Sequence, residues 1–322
     1  MSLLLLGRWN EDAGSGAGSL AEREQWLAAL QQALPNETWL TIAPRDAAEA
    51  ASVEVAVVAN PAPGSLTGLP KLKLIQSVWA GVDRLLADPT LPAGVPITRM
   101  VDPAMNEAMV HTALWAVLSL HRRFFELQEQ QDRQHWQALK YRRASEWRVL
   151  VLGLGEMGGR VARALAAQGY AVNGWATRAM SLPGVNCTHG EDALAWELAA
   201  ANVVVNLLPL TLATHDFFDA KRFAQFKRGG MFVNLARGAH VVEADLLAAL
   251  DAGQIERAVL DVFQTEPLPA AHPFWRHARV TVLPHTAAQT DPASAAAVVA
   301  ANVLAMRAGR PLLYEVTRGR GY

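Results

Sequence analysis

The chain has 322 residues, 51% of them hydrophobic and 18% charged, with a formal net charge of −1. That length suits about two domains, and that apolar fraction fills a sizeable core, which excludes a disordered chain. A charge near zero gives no electrostatic case for nucleic acid or an anionic membrane, and the single cysteine, Cys187, excludes an intramolecular disulfide or a cysteine-rich zinc site.

Near the start, SLLLL reads as a buried first strand, because its apolar run is too short for a signal-peptide core or a membrane span. With no run elsewhere approaching ~18 uninterrupted apolar residues, a soluble, cytoplasmic protein is expected. SLAEREQWLAALQQAL follows as a helix: Ser19 and Glu22 have capping-box spacing, and Trp26, Leu27, Leu30 and Leu34 share one face. VEVAVVA and LKLIQSV add two strands, and the alternation predicts a small parallel α/β unit. From Asn106, NEAMVHTALWAVLSLHRRFFELQEQQ reads as one long helix without Gly or Pro. Its LWAVLSLHRRFF stretch could face a second subunit or lie inside one. His111, His121 and His135 sit on or beside it, where packing or solvation accounts for them. WRVLVLG, YAVNGWA, NVVVNLLP, GMFVNLA, RAVLDVF and RVTVLPH are six more strands, with Cys187 in a loop or strand among them. Helical patterns lie between most of these, such as EADLLAALDAG ending on Gly253, and a last helix carries Pro292 in its first turn. The pattern predicts an α/β chain with two doubly wound parallel-sheet domains and a cleft between them.

One strand-to-helix turn carries chemistry. In VLVLGLGEMGGRVARALAAQGYAVNGWATR, Gly153, Gly155 and Gly158 form G-x-G-x-x-G, with Glu156 and Met157 between the second and third. The glycines serve a tight turn, close approach of backbone to a pyrophosphate, and close helix-on-strand packing. The helix start then presents N–H groups and positive dipole to the phosphates, which predicts a dinucleotide site of Rossmann type. An acid at the end of the second strand would favour NAD by accepting from the ribose hydroxyls. Here the position is Ala176, followed by Thr177 and Arg178. A neutral residue removes both that acceptor and its repulsion of a 2′-phosphate, which Thr177 and Arg178 could bind. NADP(H) is therefore the preferred cofactor and NAD(H) remains possible; the rival account of Arg178 is a solvated surface charge.

Three later stretches, NLARGAHVVEADLLAALDAGQI, AVLDVFQTEPLP and VTVLPHTAAQT, join the cradle in an order that resembles the D-isomer-specific 2-hydroxyacid dehydrogenase family. Within it the chain is most similar to reductases of glyoxylate and hydroxypyruvate, a likeness that extends through HRRF, HWQAL, GWATR and the terminal RGY. The resemblance implies that Arg237 holds the carboxylate and carbonyl oxygen of a 2-keto acid, that His285 is the general acid, and that Glu266 is its carboxylate partner. A nearby anion favours imidazolium and orients the ring, so such a histidine can donate a proton as hydride reaches carbon. The resemblance also places the backbone of Ala80, Gly81 and Val82 on the substrate carboxylate, with Gly81 permitting the turn. Trp79 beside them could wall the pocket or simply fill a core. It sets Leu207, Leu208, Pro209, Ala236, Arg237 and His285 against the cofactor, Thr214 near the pyrophosphate, and Asp261 on the nicotinamide carboxamide. Two departures, Asn60 where related reductases tend to carry tryptophan and His111 where the wider family usually holds glutamate, bear on substrate range.

The expected domains are a substrate-binding one of residues 1–100 plus 286–322, and a dinucleotide-binding one of residues 101–285. The expected activity is NADPH-dependent reduction of glyoxylate to glycolate and of hydroxypyruvate to D-glycerate. A dehydrogenase of another D-2-hydroxy acid is the first alternative, and a non-catalytic nucleotide sensor on the same fold the second. The family implies a homodimer; no metal is expected, because no His, Cys or carboxylate cluster has ligand spacing. Neither nucleic acid nor membrane is an expected partner.

Overall fold

The apolar runs near the N-terminus become strands whose two faces are both covered. In the computed structural model, which describes residues 1–9 and 19–321, β1 (Ser2–Gly7), β2 (Thr38–Leu40), β3 (Val53–Ala59), β4 (Leu74–Ser77) and β5 (Ile97–Thr98) form a parallel sheet in the order β2-β1-β3-β4-β5. All seven residues of β3 are buried, as a central strand with helices on both faces requires. Helix α1 (Leu20–Ala33) begins where the spacing predicts: the Ser19 hydroxyl accepts from the Glu22 N–H at 3.1 Å, and Trp26 and Leu30 are buried. Short helices α2 (Ala47–Ala50) and α3 (Asp83–Leu86) complete the connections. The C-terminal helix Pro292–Arg307 returns to this unit and packs beside α1. Its Asn302 amide donates to Gln76 Oε1 of β4 at 2.8 Å, and Gln76 Oε1 also accepts from the Thr98 hydroxyl. This buried network fastens both chain ends into one unit, Met1–Met105 with Gln289–Tyr322.

The second unit, Asn106–Ala288, is built on seven parallel strands: β6 (Arg148–Leu152), β7 (Ala171–Ala176), β8 (Asn186–His189), β9 (Val203–Asn206), β10 (Gly230–Asn234), β11 (Ile255–Leu260) and β12 (Val280–Val282). Their order, β12-β11-β10-β9-β6-β7-β8, runs outward in both directions from the β6/β9 pair. Helices α4 (Pro103–His121), α5 (Phe124–Asp132), α6 (Glu156–Ala167), α7 (Glu191–Ala200), α8 (Ala220–Ala224) and α9 (Glu243–Asp251) cover the sheet. The two-residue period of a strand is visible in its cores. Val149 and Val151 join Val203, Val205 and Val233 under α4 and α6. Leu150 and Leu152 point the other way, toward Val204 and a cluster of Phe218, Phe223, Phe226 and Phe232. Among the described residues, no helix is long and apolar enough to cross a membrane.

The structure departs from the expected single helix after Asn106. The helix begins earlier, at Pro103, because the buried Asp102 carboxylate accepts from the Ala104 and Met105 N–H groups. It ends at His121, and Arg123 takes a left-handed φ of 58°. His121 is held in the core, with Nδ1 2.9 Å from the Tyr170 hydroxyl and Nε2 2.8 Å from the Arg142 carbonyl oxygen. Burial pushes the Tyr170 hydroxyl up to about 12. Past the break, Phe125 packs on the core and Glu129 accepts from Arg257 of β11 at 2.6 Å. Tertiary contacts thus redirect a sequence whose local propensity favours continuation.

Candidate active site

Strand β6 delivers the chain into Gly153 at φ 88°, and a Cβ there would lie 2.6 Å from the Leu207 carbonyl oxygen. At Gly158 a Cβ would sit 1.7 Å from the Gly153 carbonyl oxygen, so helix α6 packs directly on the turn. Gly155 is different. It is the residue capping α6, its backbone is extended, and a Cβ would meet nothing within 4 Å. Two glycines are therefore demanded by packing, while the third faces open space at the start of a twelve-residue helix. That space, rimmed by the N–H groups of Glu156 and Met157, fits a pyrophosphate. The cradle also lies at the point where strand order reverses, between β6 and β9, where open α/β sheets bind ligands.

Across that crevice β9 runs into Leu207, Leu208 and Pro209, with the Leu207 N–H bonded to the Leu152 carbonyl oxygen at 2.8 Å. Thr214 is buried, and its hydroxyl donates to the Pro209 carbonyl oxygen at 2.7 Å while accepting from the Thr211 N–H at 2.8 Å. It shapes the loop from within. Thr177 and Arg178 follow β7, next to β6, and both are exposed.

On the other flank of the switch point, β10, β11 and β12 bring three loops to the same edge of the sheet. Ala236 is buried, and Arg237 Nη1 donates to the Ala236 carbonyl oxygen at 2.8 Å. A Cβ on Gly238 would lie 1.9 Å from the carbonyl carbon of Phe263, so the turn leading to Glu266 rests directly on the Arg237 loop. Glu266 Oε1 accepts from the Phe263 N–H at 2.9 Å, and its Oε2 lies 2.9 Å from His285 Nδ1. The carboxylate is nearly buried and the imidazole more open, at 8% and 37% side-chain exposure. This pairing directs Nε2 away from the carboxylate, where it can exchange a proton with another molecule.

His285 follows β12 at φ 52°, a conformation that side chains with a β-carbon rarely adopt. Asp261 holds it there. The Asp261 carbonyl oxygen accepts from the His285 N–H at 2.9 Å, and its buried carboxylate accepts from the N–H groups of Thr286 (2.8 Å) and Ala287 (3.1 Å). Burial pushes the Asp261 carboxyl above its ordinary range, and those two hydrogen bonds and His285 oppose the shift. Both carboxylate oxygens face this turn, so the first task the structure gives Asp261 is to clamp the His285 loop. The expected nicotinamide contact would come in addition.

Arg237, Asp261, Glu266 and His285 all belong to the second unit, where hydrogen bonds link the last three and Gly238 rests the Arg237 loop on the Phe263 turn. Trp79, Ala80, Gly81 and Val82 belong to the first, in the loop between β4 and α3. Gly81 is not among the positive-φ glycines, so that turn does not depend on left-handed backbone there. Trp79 is half-buried and its indole nitrogen lies in the interior; it contributes to packing as well as surface. Asn60 follows β3 at φ 45°. His111 is exposed and 3.9 Å from Glu107, His135 is exposed, and Cys187 lies on the edge strand β8. Tyr322 of the terminal RGY lies outside the described residues. Among the described residues no group of three His, Cys, Asp or Glu side chains could hold a metal ion. Sequence reasoning missed Asn206, Asn234 and His240, which lie fully buried beneath these loops. The available signal was the repeated V-N-L at the ends of two apolar strands.

Residues 114–287 match the family model described as D-isomer specific 2-hydroxyacid dehydrogenase, NAD binding domain. The chain is 41% identical over 292 residues, covering 89% of it and 92% of the relative, to glyoxylate/hydroxypyruvate reductase A of Serratia proteamaculans. Its backbone superposes with a TM-score of 0.90 on a D-isomer specific 2-hydroxyacid dehydrogenase from Xanthobacter autotrophicus solved with NADPH and MES, at 38% identity over 100% of this chain and 99% of that one. A TM-score of 0.89 at 31% identity, over the whole of both chains, relates it to an NADPH-dependent glyoxylate/hydroxypyruvate reductase from Sinorhizobium meliloti solved with NADP and sulfate. With sequence and backbone agreeing over nearly the full length, the protein belongs to the D-isomer specific 2-hydroxyacid dehydrogenase family.

Proposed function

We propose that this protein reduces small 2-keto acids with NADPH, glyoxylate and hydroxypyruvate foremost, as a cytoplasmic homodimer. The observation that carries the chemistry is the Glu266–His285 pair, 2.9 Å apart, in loops that leave the parallel sheet at the same end as the Arg237 loop and the glycine cradle. The choice of substrate and cofactor is supported by relatives named for glyoxylate and hydroxypyruvate reduction and by related structures solved with NADPH or NADP.

Bound against Gly153–Gly158 and Leu207–Pro209, the reduced nicotinamide would supply a hydride to the carbonyl carbon. The chain's own groups do the rest. Arg237 offers planar paired donors to the keto acid's carboxylate and carbonyl oxygen, fixing it and drawing charge toward oxygen. Glu266 accepts from Nδ1 of His285, which orients the ring and leaves Nε2 to face the substrate. His285 then donates its Nε2 proton to the carbonyl oxygen, completing the alcohol. Asp261 keeps the histidine in place, and Thr177 and Arg178 meet the 2′-phosphate that distinguishes NADPH from NADH. Exposed apolar side chains concentrated at Trp115, Phe124, Leu127, Trp136 and Tyr141 support a subunit contact on the α4–α5 side.

The test is NADPH oxidation with glyoxylate, hydroxypyruvate, pyruvate and bulkier keto acids. His285→Ala is expected to lower turnover by about 10²- to 10⁴-fold, the worth of a general acid, while NADPH fluorescence titration stays near wild type. Tight NADPH binding with no oxidation by any keto acid would remove the reductase assignment.

A further inference from the structure

Beneath the two loops that flank the switch point lies a lattice of three buried polar side chains. Asn206 closes β9, Asn234 closes β10, and His240 follows in the turn after Arg237; each is 0% exposed. The backbone determines how their amides are turned. The Leu208 N–H donates at 3.2 Å to Asn206 Oδ1, and the Ala236 N–H donates at 3.2 Å to Asn234 Oδ1. Asn234 Nδ2 in turn donates to the Arg237 carbonyl oxygen at 3.1 Å. A backbone N–H needs an acceptor and a carbonyl needs a donor, so neither amide can be flipped.

Asn206 Nδ2 therefore has two acceptors in reach, Asn234 Oδ1 and His240 Nδ1, each at 3.0 Å. An amide NH₂ only donates, so Nδ1 of His240 accepts and the ring proton sits on Nε2. There it donates to the Pro209 carbonyl oxygen at 3.3 Å. The lattice reaches four backbone groups: those of Leu208 and Pro209 on the nucleotide side, and those of Ala236 and Arg237 on the guanidinium side. A buried hydrogen-bonded network of this kind is rigid, because any displaced member strands a desolvated partner.

We propose that Asn206, Asn234 and His240 are positioning residues that join the Leu207–Pro209 loop and the Arg237 loop into one element, so that a dinucleotide seated on the first orients the guanidinium on the second. The proposal rests on the keto-acid reductase reading for the identity of its two ligands. It deepens that reading by assigning the coupling between them to side chains that touch neither.

The experiment measures NADPH affinity by fluorescence in the absence and presence of oxamate, a non-reducible isostere of a small 2-keto acid, alongside kcat and KM for glyoxylate. Wild type is expected to bind NADPH more tightly with oxamate present, by reciprocity of coupling. His240→Phe removes two buried hydrogen bonds. It should bring that ratio close to one and lower kcat/KM about tenfold or more. His240→Asn keeps an acceptor facing Asn206 but loses the Pro209 bond, and should fall between the two. Should His240→Phe fail to fold, His240→Asn and Asn234→Asp carry the test; in the latter a carboxylate oxygen opposes the Arg237 carbonyl and should uncouple the sites. A folded set of variants with wild-type coupling ratios overturns the proposal, even where kcat falls. Wild type that binds NADPH but turns over no keto acid sinks the reductase reading instead, a result independent of the variants.

Discussion

Gly155 and Gly158 stand three residues apart in one turn, yet substitution of each by alanine should fail in opposite ways. At Gly158 the new methyl would lie 1.7 Å from the Gly153 carbonyl oxygen and 2.9 Å from its carbon. Both are backbone atoms of the turn, so the helix must move, and overpacking of this kind costs about 3 kcal/mol or more. At Gly155 the methyl meets nothing within 4 Å and the φ of −68° suits any residue. Loss of a glycine at that capping position costs at most about 1 kcal/mol. The open space it fills is where pyrophosphate oxygens would approach the helix N–H groups. Losing two charge-assisted hydrogen bonds there, at about 1.5 to 3 kcal/mol each, raises the NADPH dissociation constant roughly 10²- to 10⁴-fold. Thermal unfolding and NADPH titration together separate the cases: Gly155→Ala folds like wild type and binds poorly, and Gly158→Ala unfolds early. Wild-type NADPH affinity in Gly155→Ala would refute the pyrophosphate assignment.

Arg178→Ala should weaken NADPH about tenfold, one exposed charge-assisted contact, and leave NADH within about twofold; an equal loss for both cofactors would contradict a phosphate contact. Asp261→Asn retains a carbonyl acceptor for the Thr286 and Ala287 N–H groups and removes a charge disfavoured by burial, so its melting temperature should stay close to wild type. Asp261→Ala strands both N–H groups and should lose about 2 kcal/mol or more along with most turnover; identical behaviour of the two variants would end the clamp assignment. In the first unit, hydrogen bonds from Arg307 hold the Glu37 carboxyl below its ordinary value. Its stabilising effect is present above the unfolded value of about 4.5 and is lost as pH falls through the lower folded value. Glu37→Gln should therefore be less stable than wild type by about 1 kcal/mol at neutral pH, with the gap closing below about pH 4. A gap that persisted unchanged in acid would assign the difference to something other than the ion pair.

The glycine turn was legible because its spacing between a strand and a helix is local, with Gly153 and Gly158 required by packing and Gly155 left facing open space. The roles expected of Arg237, Glu266 and His285 came from the family resemblance; what the sequence pattern itself made legible was their place, each in a loop that follows an apolar strand. The short strands β2, β5 and β8 were not, since TWL, IT and NCTH are too brief and too polar to stand out; neighbouring strands recruit them. The break at Arg123 was equally hidden: neither Gly nor Pro marks it, and its cause is the anchoring of His121, Phe125 and Glu129 to residues far along the chain. Asp102–Pro103, by contrast, carries a signal that the reading from Asn106 missed, an acid before a proline at the first helical position. Gly238 shows the limit of spacing arguments. Its need for a bare α-carbon comes from the Phe263 peptide, twenty-five residues on, and only the packed turn reveals it.

His285 ties these threads together. A left-handed φ disfavours any residue with a β-carbon by about 1 to 2 kcal/mol, and glycine would relieve that at once. The position nonetheless carries imidazole, and the surrounding bonds over-determine its backbone: the His285, Thr286 and Ala287 N–H groups all end on Asp261, and the Ala287 carbonyl accepts from Thr112 of α4. Strain of this size persists only where neighbours hold it. Asp261 is itself disfavoured as a buried charge, so two locally unfavourable choices are kept in register by one another's hydrogen bonds. The consequence is directional: the ring leaves the strand at an angle that sets Nδ1 on Glu266 and turns Nε2 outward. An extended backbone at this residue would point the side chain elsewhere, and the carboxylate on the neighbouring turn would have nothing to orient.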